Sequence, residues 1–415
     1  MTPSFRDLFK TFGRIGLMSF GGPAAQIALM EDELVTKRAW LTQDAFLRAL
    51  SFCMLLPGPE AMQLATYAGW RLRGLWGGLL AGSLFVAPGA LVIFVLAALY
   101  ISYGALPLVD ATFLGIQATV IIIVFSALKR LAGKLNGREG LILAALAFVA
   151  IFAIGLPFPL IILGAALYGF VTAKGQGDSA KIANEAKPSL LTLGSLAALW
   201  AAPIVLSAAL GAGFLLTLAL FFSQLAVVTF GGAYAVLAYM TQTVVQDLGW
   251  ITTDQMIDAL GLAETTPGPL ILVTQFVGVL AGHAIGGWPL AIIAGLVTLW
   301  VTFLPCFLWI FAGAPYVERL TTEPRIASAL SAVTAAVVGV ILNLSLWFAL
   351  HVIFSRLGSL RFAWAEIPLP ALASLNLSAV LYIALAALLL FAIKLDTLRT
   401  LLLMVLISGA SAALF

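Results

Sequence analysis

Long apolar runs joined by short polar links set the pattern of this chain. Runs such as 74–103, 141–173 and 286–314 exceed the ~20 residues that cross a bilayer as a helix. The pattern predicts spanning helices near 74–103, 107–128, 140–156, 158–173, 189–211, 288–312, 326–350, 371–393 and 400–415. At the start, Phe5, Leu8, Phe9 and Phe12 recur at helical spacing among Arg6, Asp7, Lys10 and Arg14. That predicts an amphipathic helix lying in the membrane interface, and it lacks the charged-then-apolar layout of a cleaved signal peptide. Two further stretches, 12–30 and 40–71, are interrupted by Gly21-Gly22-Pro23 and Pro57-Gly58-Pro59. Each half is too short to cross alone. Basic residues flank both stretches at both ends (Lys10 and Arg14, Lys37 and Arg38, Arg71 and Arg73), so each is expected to enter the membrane, turn and leave on the same side.

The same passage then occurs a second time, in register, 210 residues on. Phe20-Gly21-Gly22 returns as Phe230-Gly231-Gly232, Trp40 as Trp250, and Pro57-Gly58-Pro59 as Pro267-Gly268-Pro269. Aligned without a gap, 12–59 and 222–269 share 16 identities in 48 positions. Apolar sequence matches itself by chance, but not with the glycines and prolines of paired motifs in register. The expected fold is therefore an all-α polytopic membrane protein of two repeats, with about nine spans and four re-entrant hairpins. Residues 1–187 form the first half, ending in a polar cytoplasmic linker at 174–187. Residues 188–415 hold a connecting helix and the second half.

Charge sets the relative orientation of the halves. Residues 1–129 carry nine Lys or Arg, whereas 188–318 carry none. Basic residues collect in cytoplasmic loops, so the second copy is expected to insert upside down, with the helix at 189–211 as the odd crossing that allows it. Inverted repeats with broken helices are the architecture of secondary carriers. Composition agrees with membrane residence: 62% hydrophobic, 9% charged, mean hydropathy +1.11, against about 25% charged in soluble domains. It leaves no room for a separate soluble domain and gives no basis for nucleic-acid binding. Cys53 and Cys306 share no motif and read as small buried hydrophobes. His283 and His351 are too isolated for a metal site. No phosphate-binding GxxxxGK[ST] loop occurs. No cofactor, no metal and no catalytic residue is expected.

The candidate chemistry sits at the breaks. Proline ends a helix and suits the first turn of the next, and glycine accepts the backbone angles between. Pro23 and Pro59 are thus expected at the first position of new helices whose N-termini lie deep in the membrane. Four such termini would form an anion site from unpaired amides. The proposed substrate-binding set is Ser19, Phe20, Gly21, Gly22, Pro23, Gln26, Pro57, Gly58, Pro59 and Gln63 in the first copy. In the second it is Thr229, Phe230, Gly231, Gly232, Tyr234, Thr265, Thr266, Pro267, Gly268, Pro269 and Gln275, with Thr274 alongside. Their hydroxyls and amides suit an oxyanion, although Gly and Pro in membrane helices also serve simple kinks and close packing. Glu264 and Glu60 are candidates for proton coupling; Glu60 is equally a dipole partner in a first helical turn. Thr42 and Thr252 read as N-caps with Asp44 and Asp254 in the first turn, and Trp40 and Trp250 as interfacial anchors.

At these residues the chain resembles the chromate ion transporter family in its long, two-domain form. The resemblance rests on Phe20-Gly21-Gly22-Pro23 with its acidic sequel and Trp40, on Leu56-Pro57-Gly58-Pro59, and on Phe230-Gly231-Gly232 and Thr266-Pro267-Gly268-Pro269. Ala233 stands where Pro23 does in the first copy. The resemblance implies export of chromate across the inner membrane of a bacterium, energised by the proton gradient, with sulfate as a competitor. A homodimer is compatible with it. The alternatives are a carrier for sulfate or another oxyanion, then an anion channel or an intramembrane enzyme.

Overall fold

The computed structural model describes residues 3–104, 106–135, 137–173, 189–230, 233–317, 323–362 and 365–414. The expected linker at 174–187 lies outside them. Fifteen α-helices follow in order among the described residues: α1 Phe5–Met18, α2 Gly22–Glu31, α3 Gln43–Leu55, α4 Glu60–Tyr103, α5 Pro107–Ala132, α6 Gly137–Phe152, α7 Phe158–Thr172, α8 Leu190–Ala209, α9 Gly213–Val228, α10 Ala233–Thr241, α11 Thr253–Glu264, α12 Val273–Gly313, α13 Pro324–Ile353, α14 Leu377–Ala387 and α15 Thr397–Leu414. Among the described residues, five stretches are long and apolar enough to cross a membrane: Glu60–Tyr103, Ala111–Ala132, Leu190–Ala209, Leu270–Tyr316 and Pro324–Ile353. The protein is an all-α, multi-pass membrane protein.

A straight α4 of 44 residues would be about 66 Å long, twice the hydrocarbon thickness. It is not straight. Arg73 (φ −143°, ψ 26°) and Gly74 (φ 62°, ψ −156°) bend it into two arms, and α12 bends with nearly the same angles at Gly286 and Gly287. The arms pack antiparallel because glycines face them. Gly69 lies against the Gly77 backbone and Gly82 against Thr66; in α12, Gly278 lies against Thr298 and Gly282 against Leu290. A side chain at any of these positions would push the arms apart.

The equivalences at 210 residues extend to local geometry. One turn of π-helix follows α2 at Asp32–Lys37, and another follows α10 at Gln242–Asp247. The Trp40 amide donates to the Leu34 carbonyl at 2.8 Å, and the Trp250 amide to that of Val244 at 2.8 Å. Ala39 and Gly249 share a left-handed conformation (φ 48° and 59°). Thr42 caps α3 through the Ala45 amide and Thr252 caps α11 in a capping box with Gln255, as their sequence predicted.

Two features differ from expectation. The amphipathic start and the first half of the first hairpin form one helix, α1, because nothing between Phe5 and Met18 breaks it; its Leu8, Phe12 and Ile15 are buried. Between α13 and α14 the chain forms an antiparallel ribbon, β1 Leu357–Phe362 with β2 Ala365–Pro370, in the register Leu357↔Pro370. No helical period runs through this stretch, so its backbone groups pair across strands instead.

The chain divides into two compact units, each assembled from three segments. One comprises Met1–Ala97, Ala173–Ala233 and Thr266–Ala327; the other comprises Ala98–Thr172, Tyr234–Thr265 and Ser328–Phe415. In the first, α12 packs on α8 and α9, and α1 meets the second arm of α4 where Gly16 lies on the Leu84 carbonyl. In the second, α11, α14 and α15 pack around α5, with Ile122, Ala386, Leu389 and Met404 forming a buried cluster.

An ion cluster ties α1 to the first π turn. Glu33 is buried, and its carboxylate accepts from Arg38 at 2.6 Å and Lys37 at 2.9 Å, with Arg14 at 3.7 Å. Arg38 also donates to Thr11 Oγ1 of α1 at 3.0 Å. Burial alone would raise the Glu33 pKa. The Lys37 hydrogen bond and the charges of Arg38, Lys37 and Arg14 outweigh it, so the carboxyl is held below its ordinary 4.5. The stabilisation is therefore fully present above the ordinary carboxylate range and is lost as pH falls through the lowered value. Glu33→Gln should cost about 1–2 kcal/mol, discounted from the buried-pair range because Lys37 and Arg38 still reach solvent. Thermal melting in detergent from about pH 7 down to about pH 3 checks this: the gap between wild type and Glu33→Gln should close at the acid end.

Candidate functional site

The glycines and prolines of the repeated motifs interrupt helices where the sequence places them. Between α1 and α2, Gly21 and Gly22 have φ of +85° and +78°; between α3 and α4, Gly58 has φ +118°; after α11, Gly268 has φ +92°. Gly231 and Gly232 lie outside the described residues. Left-handed Gly21 takes the cap of α2, which moves Pro23 to the second helical position, and Pro59 immediately precedes Glu60, the first residue of α4. The prolines thus sit one residue to either side of the expected first position, within the tolerance of a helix boundary.

The breaks of the two copies are joined reciprocally inside the first compact unit. The Gly58 amide donates to the Thr229 carbonyl at 2.9 Å, and the Gly268 amide donates to the Ser19 carbonyl at 2.9 Å. Ser19 is equivalent to Thr229 and Gly58 to Gly268, so the two bonds exchange under the repeat. Gln26 reinforces one of them: its Nε2 donates to the Ser19 carbonyl at 3.1 Å and to the Gly268 carbonyl at 2.7 Å.

A small cleft, open at its mouth, lies at this junction. Pro23, Gln26, Gly58, Pro59, Glu60, Ala61, Thr229, Pro269, Leu270 and Ile271 line it. Three helix starts face it: α2 through Pro23, α4 through Glu60 and Ala61, and the single 3₁₀ turn Leu270–Leu272 that runs into α12. First-turn amides have no acceptor within their own helix, and the adjoining dipole ends favour negative charge. None of the lining residues is Lys or Arg.

The side chains contribute something other than donors. Ser19 Oγ donates back to the Ile15 carbonyl and Thr229 Oγ1 to that of Leu225, both at 2.5 Å. Thr265 and Thr274 donate to the carbonyls of Leu262 and Ile271, and Gln63 Nε2 donates to that of Pro57 at 2.7 Å. With their protons turned onto backbone, these groups present acceptors. The Oε1 atoms of Gln26, Gln63 and Gln275 are buried without a hydrogen-bond partner. Donation to an anion at this junction therefore falls to backbone amides.

Of the expected residues, Pro23, Gln26, Gly58, Pro59, Glu60, Thr229 and Pro269 meet at the cleft, with Ser19 and Gly268 held against it by hydrogen bonds. Thr266 and Gln275 are buried and Phe20 is partly exposed, all without lining it. Tyr234, Glu264 and Thr265 belong to the other unit. There the Tyr234 hydroxyl donates to Glu264 Oε1 at 2.6 Å, and Glu264 is buried. The same unit holds a carboxylate the sequence reading passed over. Asp258, in the middle of α11, accepts from Tyr100 Oη at 2.8 Å and Gln117 Nε2 at 2.9 Å. Its signal was an acidic residue amid apolar neighbours at the position equivalent to exposed Arg48.

Duplicated helix breaks joined across the repeat, in a multi-pass all-α membrane protein, define the class. The family follows from comparison: the model of the family described as "Chromate transporter" matches residues 6–170 and 216–413, and the chain belongs to that family. A "Probable chromate transport protein" of Synechococcus elongatus is 30% identical over 81% of this chain and 83% of its own length. A "Chromate transport protein" of Pseudomonas aeruginosa is 33% identical over 81% and 79%, and one of Cupriavidus metallidurans 29% over 82% and 81%. No solved structure matches the chain.

Proposed function

We propose that this protein is a secondary carrier that exports chromate, a tetrahedral oxyanion, from the cytoplasm, driven by the proton gradient. It is a transporter and not an enzyme, and it works in the inner membrane of a bacterium as two inverted repeats, 1–187 and 188–415. In this reading, nine helices span and four broken pairs enter as re-entrant hairpins. One repeat rocks against the other to expose the anion alternately. The relatives named for chromate transport support the substrate. The family match in two segments supports the duplication.

The observation that carries the reading is the cleft itself. Three helix starts from both copies line it with no cationic side chain, and reciprocal bonds between the breaks fix it. Such a site stabilises an anion by oriented amides and releases it more readily than a paired arginine would. Labelled chromate uptake into inside-out vesicles, with and without a proton gradient and with excess sulfate, tests it. Gradient-dependent, saturable uptake is expected. Its absence from vesicles holding folded protein rejects chromate as substrate, and non-saturating flux would indicate a channel.

A further inference from the structure

We propose that α1 and the bend of α4 form a docking surface for anionic phospholipid, with Arg6 and Lys10 receiving the phosphate groups. The inference concerns the lipid around the protein and does not rest on the carrier reading above.

The surface follows from how α1 divides its circumference. Leu8, Phe12 and Ile15 are buried and fix the side turned to the protein. Phe5 and Phe9, one turn apart, are left 46% and 57% exposed. Arg6 and Lys10, the residues directly after them, are exposed as well. Side chains four apart differ by roughly 40° around a helix of 3.6 residues per turn. Two aromatic and two cationic groups therefore form adjoining stripes. Beyond Arg14 the open side is apolar, with Leu17 61% and Met18 49% exposed. Aromatic bodies beside cations suit the headgroup level, and aliphatic ones the hydrocarbon.

A second element holds the start of α1 in place. Arg73, at the bend of α4, donates from Nε to the Pro3 carbonyl at 2.5 Å, and its guanidinium lies over the Phe5 ring, 5.4 Å from the centroid. Trp76, three residues on, is 71% exposed and adds another interfacial ring.

Charge selects the lipid. The described ion pairs of this unit engage Arg14, Lys37 and Arg38 with Glu33 or Asp32 and leave out Arg6 and Lys10. The acid next to them in sequence, Asp7, accepts from the Ser4 amide at 3.1 Å and hydroxyl at 2.6 Å. The repeat shows that the fold itself requires no charge here. At the equivalent positions α9 carries Leu216 and Leu220, and Leu220 is 49% exposed. A basic residue at an anionic membrane surface adds about fivefold in affinity, so Arg6 and Lys10 together favour an anionic over a zwitterionic headgroup about twentyfold.

The test is thermal melting of the purified protein in uncharged detergent, titrated with phosphatidylglycerol or with phosphatidylcholine of the same acyl chains. Lipid that binds the folded state raises the melting temperature by an amount set by its affinity. Phosphatidylglycerol should act at about twentyfold lower concentration than phosphatidylcholine, and about 1 M salt should erase the difference. Arg6→Gln combined with Lys10→Gln should erase it at low salt too, each change alone costing about fivefold. The single variants decide if the double variant does not accumulate. Arg399→Gln, which alters an exposed cation of the other unit, should keep the full preference. Insertion is complete in purified protein, so cations that served only to set topology would leave the titration unchanged when replaced. Equal action of the two lipids on wild type, or a preference that survives loss of both cations, overturns the proposal. So does a preference that Arg399→Gln removes as fully, since it would report net charge and not this surface.

Discussion

Gly58→Val should abolish chromate transport, by about a hundredfold or more, while the protein still inserts and accumulates. Two independent costs meet at this position. The backbone has φ +118°, a region in which a β-branched residue is strained by roughly 1–3 kcal/mol. A Cβ would also stand 2.9 Å from both Cys306 Sγ and Gln63 Nε2, closer than carbon packs. Relief requires the break to move, and moving it disturbs the Gly58–Thr229 hydrogen bond and the start of α4 on the cleft. A step that depends on sub-ångström placement loses far more rate than the fold loses stability.

Gly268→Val should behave alike. There φ is +92°, and a Cβ would lie 3.1 Å from Leu272 Cδ1 and 3.6 Å from Gly89 Cα. Gly74→Ala is the contrast: φ is +62°, and nothing lies within 4 Å of its Cβ. That variant carries backbone strain without steric conflict and should transport within severalfold of wild type. Uptake per folded molecule, with abundance read by gel filtration in detergent, decides. Normal uptake in both Gly58→Val and Gly268→Val would remove the cleft as the anion site.

What the sequence revealed of this site follows from which residues set backbone shape. Glycine and proline dictate local geometry from their own covalent structure, so the breaks at 21–23, 57–59 and 267–269 could be read without coordinates. The bends at Arg73–Gly74 and Gly286–Gly287 fell where one apolar run ended and the next began. The copy-to-copy offset made the second set a check on the first. Side-chain roles were harder. Ser19 and Thr229 read as anion donors by type, yet a hydroxyl in a helix has the carbonyl four residues back always in reach. Whether it donates there depends on χ1, which the sequence does not encode. Asp258 was passed over because one acidic residue in a short helix looks like a solvated face; burial comes from α5, distant in sequence. The ribbon at 357–370 was missed because its alternation is short and interrupted by Gly358 and Pro368.

The second large effect is expected at Glu264. Glu264→Gln should eliminate the stimulation of chromate uptake by a proton gradient while chromate–chromate exchange stays within about threefold of wild type. The carboxyl is buried at the end of α11, three residues before Pro267, and the described contact of its Oε1 is the Tyr234 hydroxyl at 2.6 Å. Ionisable groups within the membrane are expensive and usually serve transfer of charge. Glutamine keeps an oxygen for Tyr234 to donate to, so the local structure survives and only the exchangeable proton is lost. Asp258→Asn provides the comparison. Asp258 accepts from Tyr100 Oη and Gln117 Nε2; an asparagine there can still meet both, its NH₂ turned to the tyrosine oxygen, but both bonds lose the charge of the carboxylate, about 1 kcal/mol. It should therefore lower melting temperature while gradient stimulation persists. The two variants thus separate a carboxyl that carries a proton from one that organises helices. Gradient stimulation intact in Glu264→Gln would exclude this residue from the proton path, and its loss in Asp258→Asn alone would move that role to Asp258.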